Sequence, residues 1–382
     1  MESKPTSHAA TEHRKLLADS VADFVERGTD LARVRRLRGT NGEHDRAVWQ
    51  QMAELGWLGI LVPERYGGLG LGLSEAAIVA KGLARSLAPE PLTAAAVLAA
   101  TALAAGENEP LKREQFPRLV SGACLPALAW QEQAGALDPS TVETGATPFE
   151  GGYKLNGVKR YISGAAQADA FLVSARARDA IVLLWVPREA AGARVSLEPL
   201  ADGRSFGTLV LADTLVPQAG VAAAGPVAVE ALARALDHGT AIAGAELLGV
   251  GERALEMTLD YLRTRVQFGK PIGAFQALQH RAVDLHIQKE IASAVLEEGL
   301  AGLDGGPGAL QRTAIASRVK ARCAEAALRI TREAIQLHGA IGFTDEYDAG
   351  LYLKRALTLA AWLGHASWHR RRYARLTAGV AA

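Results

Sequence analysis

The chain contains 382 residues, 49% of them hydrophobic and 22% charged, which is enough for two or three globular domains. Its 42 basic residues nearly cancel 41 acidic ones, so the composition excludes the strongly basic surface typical of proteins that bind nucleic acid or anionic membranes. Two cysteines are too few for a disulfide framework, and the polar N-terminus lacks the apolar core of a secretion signal. These features predict a cytoplasmic protein with no membrane span.

Residues 1–122 have the pattern of an N-terminal helical domain. Apolar side chains recur at helical spacing over 48–55, and a segment rich in glycine and proline, 63–70, then breaks the helix. The most apolar stretch, 92–105, is too short and too rich in alanine to cross a bilayer. We therefore expect a buried helix there.

Residues 123–221 have a different pattern, which indicates a β domain. The segment 151–162 alternates between apolar and polar residues and has turn residues at both ends, whereas 170–174 and 180–186 are short apolar runs rich in β-branched residues. Short strands with frequent turns predict a small β-sandwich or barrel.

Residues 222–382 return to helical periodicity and predict a C-terminal four-helix bundle. The expected helices lie near 227–263, 275–303, 309–338 and 346–376. The predicted fold class is therefore α+β, mainly α, with its three parts in the order helical, β and helical.

The clearest motif runs from Tyr261 to Gln276 and reads Tyr-Leu-Arg-Thr-Arg-Val-Gln-Phe-Gly-Lys-Pro-Ile-Gly-Ala-Phe-Gln. A helix that ends near Arg265 is followed here by a turn rich in glycine and proline. The guanidinium of Arg265 offers paired donors that suit a pyrophosphate. A single arginine at a helix end is more often a surface ion-pair partner, so it is the whole string that favours a ligand.

Two further motifs lie elsewhere in the chain. Residues 336–344 read Gln-Leu-His-Gly-Ala-Ile-Gly-Phe-Thr, in which Gly339 suits the end of a helix. Residues 159–165 read Lys-Arg-Tyr-Ile-Ser-Gly-Ala, which places Tyr161 and Ser163 on one strand. A tyrosine and a serine so spaced are usually ordinary strand residues, and only their context favours a ligand role.

Together these segments resemble the acyl-CoA dehydrogenase flavoproteins over essentially the whole chain. The resemblance implies FAD as cofactor and α,β-dehydrogenation of an acyl-CoA thioester in fatty acid metabolism. In that reaction a carboxylate removes the α-proton, the β-hydride passes to flavin N5, and an electron-transferring flavoprotein receives the electrons. It also implies these FAD contacts: Gln131, Tyr161, Ser163, Arg265, Gln267, Phe268, Gln276, Gln336 and Gly339. Of these, Arg265, Gln267, Phe268, Gln336 and Gly339 would serve the FAD of a neighbouring subunit.

Two features depart from the family pattern. The loop that usually reads Thr-Glu-Pro-Gly-x-Gly-Ser-Asp is altered here over 131–138, although Glu132 and Asp138 remain. The two positions at which the family places its catalytic glutamate hold Leu363 and Gly239, neither of which ionises. Asp237 is the nearest acid and the candidate base.

The role of Asp237 is open from the sequence alone. It lies about 200° around a helix from position 239, so it reaches the same pocket only if the helix begins or bends nearby. A structural role, in a helix cap or an ion pair, is the alternative for this aspartate. His238 is a further candidate base.

Three short segments, 236–239, 278–281 and 344–347, resemble the small subunits of two-component acyl-CoA dehydrogenases of the pimeloyl-CoA type. This resemblance implies a homotetramer, or a heterotetramer with a large subunit. It also leaves an alternative in which the chain is catalytically silent and completes its partner's flavin site. In either assembly we expect the last helices to bury Leu353, Leu357 and Ala361 against another subunit. No metal site is expected, because the histidines and the two cysteines lack metal-ligand spacing.

Overall fold

The structure is a computed structural model, and it describes residues 7–28, 31–37, 40 and 44–378. Contacts between residues group the chain into two compact units. The first unit comprises Met1–Val34, Leu73–Ala88 and Thr240–Ala382, and the second comprises Arg35–Gly72 and Pro89–Gly239. Each unit draws on helices from the N-terminal part of the chain. The three-domain division expected from the sequence stays a prediction.

The N-terminal region is helical up to residue 120, as predicted. Its α-helices are α1 (Ser7–Gly28), α2 (Leu31–Leu37), α3 (Arg46–Glu54), α4 (Leu73–Arg85), α5 (Ala100–Ala105) and α6 (Glu109–Val120). The apolar stretch is indeed a buried helix, but its first part, Thr93–Ala99, is a π-helix that continues directly into α5. Wider π turns of this kind are rare and occur often at functional sites.

The middle region forms one eight-stranded sheet in the second unit. Its strands are β1 (Pro126–Ala129), β2 (Gly145–Phe149), β3 (Gly152–Ser163), β4 (Ala170–Ala177), β5 (Ala180–Pro187), β6 (Ala193–Pro199), β7 (Ser205–Pro217) and β8 (Val221–Ala224). The strand order is β6-β7-β3-β2-β4-β5-β8, with β1 parallel to β4. Strands β4 and β5 are buried along almost their whole length, which explains their continuous apolar sequences.

The C-terminal region consists of helices joined by a small hairpin. Helix α7 (Gly225–Thr264) leads into β9 (Val266–Gln267) and β10 (Lys270–Pro271), and then come α8 (Gln276–Asp304), α9 (Ala309–His338), α10 (Ala349–Ala361) and α11 (Ala366–Thr377). Within the first unit, α9 packs against α8, α10 and α11. The predicted fold class, α+β with mostly helices, is confirmed.

The prediction of one last helix over 346–376 was wrong, because two helices occupy that range. Helix α10 ends at Ala361, and the backbone then takes positive φ angles at Leu363 (58°) and Gly364 (104°). A leucine with positive φ is strained, so an ordinary helix cannot continue through it. Within the described part of the chain, no helix is long and apolar enough to cross a membrane.

Candidate active site

The Arg265 motif forms a hairpin in the first unit. Strands β9 and β10 are joined by a two-residue turn in which Phe268 (φ 54°) and Gly269 (φ 78°) both have positive φ, as in a type I′ turn. The chain enters it from α7, whose last turn includes a bond from Arg265 N to Tyr261 O of 2.9 Å. Phe268 lies at the tip and is 90% exposed. Such an exposed aromatic ring is available for contact with another molecule.

The polar side chains of the hairpin face solvent. Arg265, Gln267 and Gln276 are all exposed, and among the described residues the guanidinium of Arg265 has no hydrogen-bond or ion-pair partner. The adjacent Arg263 differs, because its guanidinium pairs with Asp260 at 3.2 Å. The geometry thus leaves Arg265 available to an anionic ligand.

A cluster of three rings joins this hairpin to the glycine motif. His338 lies 4.5 Å from Tyr261 and 4.5 Å from Tyr347, measured between ring centroids. Its Nδ1 lies 2.7 Å from Ala334 O, and its Nε2 lies 2.9 Å from the Tyr347 hydroxyl. Burial lowers the pKa of His338, so the imidazole is held neutral within the cluster. The two motifs predicted to share a ligand are therefore brought together in one unit.

The glycine motif ends α9. Gly339 has φ 65° and ψ −139°, a conformation that is essentially restricted to glycine. A Cβ atom at this position would meet nothing within 4 Å, so the backbone angles, rather than crowding, require glycine here. Gln336 is exposed one turn earlier, and Phe343 just beyond is 77% exposed.

The second unit contains the other expected flavin residues. Tyr161 and Ser163 lie at the end of β3, where the pairing with β7 is irregular between Lys159 and Ile162. Tyr161 has φ 57° and packs edge-on against Phe206 at 6.3 Å. The irregularity turns Tyr161 out of the regular strand alternation, and both Tyr161 and Ser163 remain partly exposed.

A buried ion pair fixes the loop at 131–138, whose sequence departs from the family pattern. Lys159 is completely buried, and its Nζ donates to Glu132 Oε1 at 2.6 Å and to Ser174 Oγ at 3.1 Å. The two oxygens of Glu132 also accept the backbone N–H groups of Glu143 and Thr144 at 2.6 and 2.8 Å. The carboxylate of Glu132 is thereby fully engaged within its own unit.

Burial and pairing shift the pKa values of both Lys159 and Glu132. Burial lowers the pKa of Lys159 to about 8 despite its hydrogen bond to Glu132. Burial alone would raise the pKa of Glu132, but the hydrogen bond and charge of Lys159 outweigh it, and that pKa lies below its ordinary value. Both groups are therefore ionised near neutral pH.

Gln131 lies next to this pair. Its backbone oxygen accepts Arg160 N at 2.7 Å, which brings it beside Tyr161, but its side-chain amide donates to Gln133 O at 3.0 Å. The structure therefore brings Gln131 and Tyr161 together, with the Gln131 amide already engaged in a local bond.

The candidate base, Asp237, lies on α7 in the second unit and is completely buried. The following residue, His238, has its Nδ1 3.5 Å from Thr101 Oγ1 on α5. This part of α7 thus packs against the buried helical stretch that begins at Thr93. Gly239 carries no ionisable group, as the sequence already indicated.

Leu363 lies at the other position at which the family places its catalytic base. The segment around it is held by hydrogen bonds between distant residues, which sequence reasoning missed. The Nζ of the completely buried Lys320 donates to the carbonyl oxygens of Leu359, Trp362 and Gly364 at 2.8, 2.5 and 3.3 Å. Burial lowers the pKa of Lys320 to about 7. The carbonyl of Leu363 lies 3.0 Å from Nε2 of the buried His369, whose pKa burial lowers to about 3.

These contacts explain why the break between α10 and α11 is well defined. The last carbonyls of α10 have no partner within the helix, and the Nζ of Lys320 supplies one. The only sign of these contacts in the sequence was a lysine among small apolar residues on the buried face of α9. Its carbonyl partners could not be recognised, because they lie 39 to 44 residues further along the chain.

Three sequence models of one family cover most of the chain. They are the N-terminal, middle and C-terminal domains of acyl-CoA dehydrogenase, which match residues 11–123, 127–213 and 229–377. Together they span the helical region, the sheet and the C-terminal helices described above.

Individual proteins resemble the chain over its length. The acyl-CoA dehydrogenase IpdE2 of Mycobacterium tuberculosis is 30% identical over 351 residues, covering 90% of this chain and 91% of its own. The L-prolyl-[peptidyl-carrier protein] dehydrogenase of Pseudomonas fluorescens is 30% identical over 348 residues, covering 86% and 90%. A chain in the crystal structure of the ChsE4–ChsE5 complex from Mycobacterium tuberculosis superposes with a TM-score of 0.87 at 27% identity, covering 99% of both chains. From the matched domains and these relatives, the chain belongs to the acyl-CoA dehydrogenase family.

Proposed function

We propose that this chain takes part in the FAD-dependent α,β-dehydrogenation of an acyl-CoA thioester. Acyl-CoA dehydrogenases depend on FAD, which supplies a hydride acceptor at N5 when it is bound. The observation that carries the proposal is the exposed Arg265 hairpin, which the Tyr261–His338 ring contact joins to the Gln336–Gly339 motif. These residues fit an anionic, partly aromatic cofactor.

The residues of each unit have distinct roles in this proposal. In the first unit, Arg265 would bind the pyrophosphate of the FAD held by a neighbouring subunit, with Gln267, Phe268, Gln336 and Gly339 around that cofactor, and Gln276 would be a further FAD contact. In the second unit, Tyr161 would pack on the flavin ring of this chain's own FAD and the Ser163 hydroxyl would orient it, with Gln131 at its edge. These assignments are supported by the exposure of the polar side chains in the hairpin and by the partial exposure of Tyr161 and Ser163.

For the proton, we propose Asp237 as the acceptor at the α-carbon. It is the acid nearest in sequence to position 239, and it lies in the buried part of α7 that contacts α5 through His238 and Thr101. Neither Leu363 nor Gly239 can accept a proton. The electrons would then pass to an electron-transferring flavoprotein.

A second candidate function is that of a silent subunit that completes a partner's flavin site. The Lys159–Glu132 pair and the Gln131–Gln133 bond favour it, because they engage the loop that would hold this chain's own flavin. The hairpin that would serve a neighbour is open by contrast. The superposition on a chain of the ChsE4–ChsE5 complex supports a heteromeric assembly.

The absorbance spectrum of the purified chain separates the two functions. An active subunit should be isolated with a flavin band that an acyl-CoA bleaches under anaerobic conditions. A colourless chain that takes up no FAD, even after incubation with excess FAD, would contradict the first function.

A further inference from the structure

The irregularity in β3 is a β-bulge that leaves two neighbouring side chains on the same face of the sheet. Between Lys159 and Ile162 the chain of β3 takes three steps, whereas the partners of these two residues on β7 are two residues apart. Arg160 and Tyr161 therefore lie opposite a single residue of β7, Thr208. Because Lys159 and Ile162 are both buried, the two residues between them lie on the opposite, outer face of β3.

This outer face is the one proposed above for the flavin. Ser163 follows the buried Ile162 along β3, so it points to the same side as the bulge pair, because side chains alternate along a strand. Tyr161 and Ser163, which are proposed to contact the flavin, thus share the outer face with Arg160. All of these residues belong to the second unit.

The guanidinium of Arg160 faces solvent on this side of the strand. Within the described part of the chain it forms no hydrogen bond or ion pair, whereas the backbone N–H of Arg160 donates to Gln131 O at 2.7 Å. The preceding cation, Lys159, is instead buried and paired with Glu132 at 2.6 Å. Arg160 therefore carries an uncompensated positive charge beside Tyr161.

An acid on the same face of the sheet already has another partner. Thr208, opposite the bulge, donates its hydroxyl to Glu198 Oε1 at 3.0 Å. Glu198 lies on β6, which β7 separates from β3, and neighbouring strands are about 4.8 Å apart. The carboxylate of Glu198 is thus held toward β7, two strands away from Arg160.

We propose that Arg160 contacts the flavin of this chain's own FAD and binds its reduced form in preference to its oxidised form. This inference rests on the proposed dehydrogenase function and adds a residue that sets the electron affinity of the bound flavin. A hydride consists of two electrons and one proton, so a flavin that accepts a hydride from the thioester gains one negative charge. A guanidinium close to that charge stabilises the reduced form selectively.

The position of Arg160 suits this role. The Cα atoms of Arg160 and Tyr161 are about 3.8 Å apart, and the two side chains leave the strand on the same side. An arginine side chain is long enough to bring its guanidinium to the edge of a ring that packs on Tyr161. Lys159 does not suit the role, because its side chain lies on the buried face and is engaged by Glu132.

The test measures the reduction potential of the bound flavin and its affinity, both without substrate. The FAD-loaded protein, with any subunit that co-purifies, is reduced stepwise beside a dye of known potential. Fluorescence titration of the flavin-free protein gives the affinity for oxidised FAD. The potential reports the ratio of the affinities for reduced and oxidised flavin, and a tenfold change in that ratio shifts it by about 30 mV.

We expect Arg160→Gln to weaken binding of reduced flavin about tenfold relative to oxidised flavin, which lowers the potential by about 30 mV. Arg160→Lys keeps the charge and should lower the potential by less. Arg178→Gln is the matched control, because Arg178 is an exposed arginine in the turn between β4 and β5 of the same unit. The control should leave the potential unchanged, and thermal unfolding shows whether each variant is folded.

The outcomes distinguish this inference from the proposed function. An unchanged potential in Arg160→Gln overturns the role of Arg160 and leaves the dehydrogenase function standing. Equal losses of affinity for oxidised and reduced FAD also overturn it, because Arg160 would then contact a part of FAD whose charge does not change, such as the diphosphate. If the native chain binds no FAD of its own, the dehydrogenase function fails, and the role of Arg160 fails with it.

Discussion

The rings of Tyr261 and His338 pack at an interplanar angle of 34° with their centroids 4.5 Å apart, and this contact joins two motifs that are 77 residues apart in the sequence. Tyr261 lies one turn before Arg265, and His338 lies between Gln336 and Gly339. The side chains that would hold a cofactor face solvent, whereas the contact behind them is partly buried. The ring cluster therefore supports the candidate site from within its unit.

We expect His338→Ala to weaken both the fold and FAD binding. Loss of the packed ring and its hydrogen bonds should cost about 1–3 kcal/mol of unfolding free energy. Tyr347→Phe is the matched control, since it removes only the hydroxyl bonded to Nε2 and should cost about 1 kcal/mol. Urea unfolding and flavin titration measure the two effects. FAD affinity that is unchanged in His338→Ala would mean that the cluster does not support the site.

Arg265→Ala should weaken FAD binding by about 10- to 100-fold, because a charge-assisted bond to a phosphate is lost. The matched control is Arg263→Ala, two residues away, whose guanidinium pairs with Asp260 instead. Fluorescence titration of the flavin-free protein measures both affinities. Equal losses in the two variants would show that the effect is a general change in charge and not a specific contact.

The apolar stripe Leu353, Leu357 and Ala361 on α10 is partly exposed in the single chain, and Leu357 is 42% exposed. We expect this stripe to be buried in a tetramer, either of this chain alone or with a large subunit. Light scattering at micromolar concentration should give the tetramer mass, and Leu357→Glu should lower it. Leu16→Glu, at a leucine on α1 that is 63% exposed, is the control and should leave the mass unchanged. A monomer mass for the native assembly would refute this expectation.

Burial of Lys320 predicts a specific dependence of stability on pH. Its pKa is lowered from 10.5 to about 7, so between these values the unfolded chain binds a proton that the folded chain does not. The contribution of Lys320 to the free energy of unfolding should therefore rise with pH across that window, by at most about 1.4 kcal/mol per pH unit. Below that window the contribution should not change with pH.

Comparison with Lys320→Met isolates this effect from the other titrating groups. Urea midpoints of the native protein should rise relative to those of the Met variant as the pH increases from 6 to 9. Parallel pH profiles for the two proteins would show that Lys320 does not titrate in this range. The Met variant also loses the hydrogen bonds from Lys320 to the carbonyls of Leu359 and Gly364, so the comparison uses the slope of each pH profile and not the absolute stability.

The features predicted correctly from the sequence are mostly those fixed by local chemistry. The turn after Arg265 was recognisable because Phe268 and Gly269 adopt a turn conformation that the flanking sequence favours. The strands β4 and β5 were recognisable because their burial makes the sequence continuously apolar. The FAD contacts assigned to Gln131, Tyr161, Ser163, Arg265 and the other site residues stay predictions.

The features that were missed depend on contacts between distant residues. The pair of Lys159 with Glu132 joins a strand to a loop 27 residues away, and neither residue type indicates a partner in advance. The break after Ala361 depends on Lys320 and His369, because a leucine at positive φ is tolerated only where other contacts hold it. Helical periodicity continues through this break, which is why one helix was expected.

The most direct test of the proposed chemistry is anaerobic rapid-reaction reduction of the bound flavin by an acyl-CoA. It compares the native protein with Asp237→Asn and with the control Glu230→Gln, a surface acid on α7 that pairs with Arg234. If Asp237 accepts the α-proton, the native protein and the control should reduce the flavin equally fast, and the Asn variant should be slower by roughly a hundredfold or more. Near-native reduction by Asp237→Asn, or a native chain that reduces its flavin only after a large subunit is added, would contradict this account.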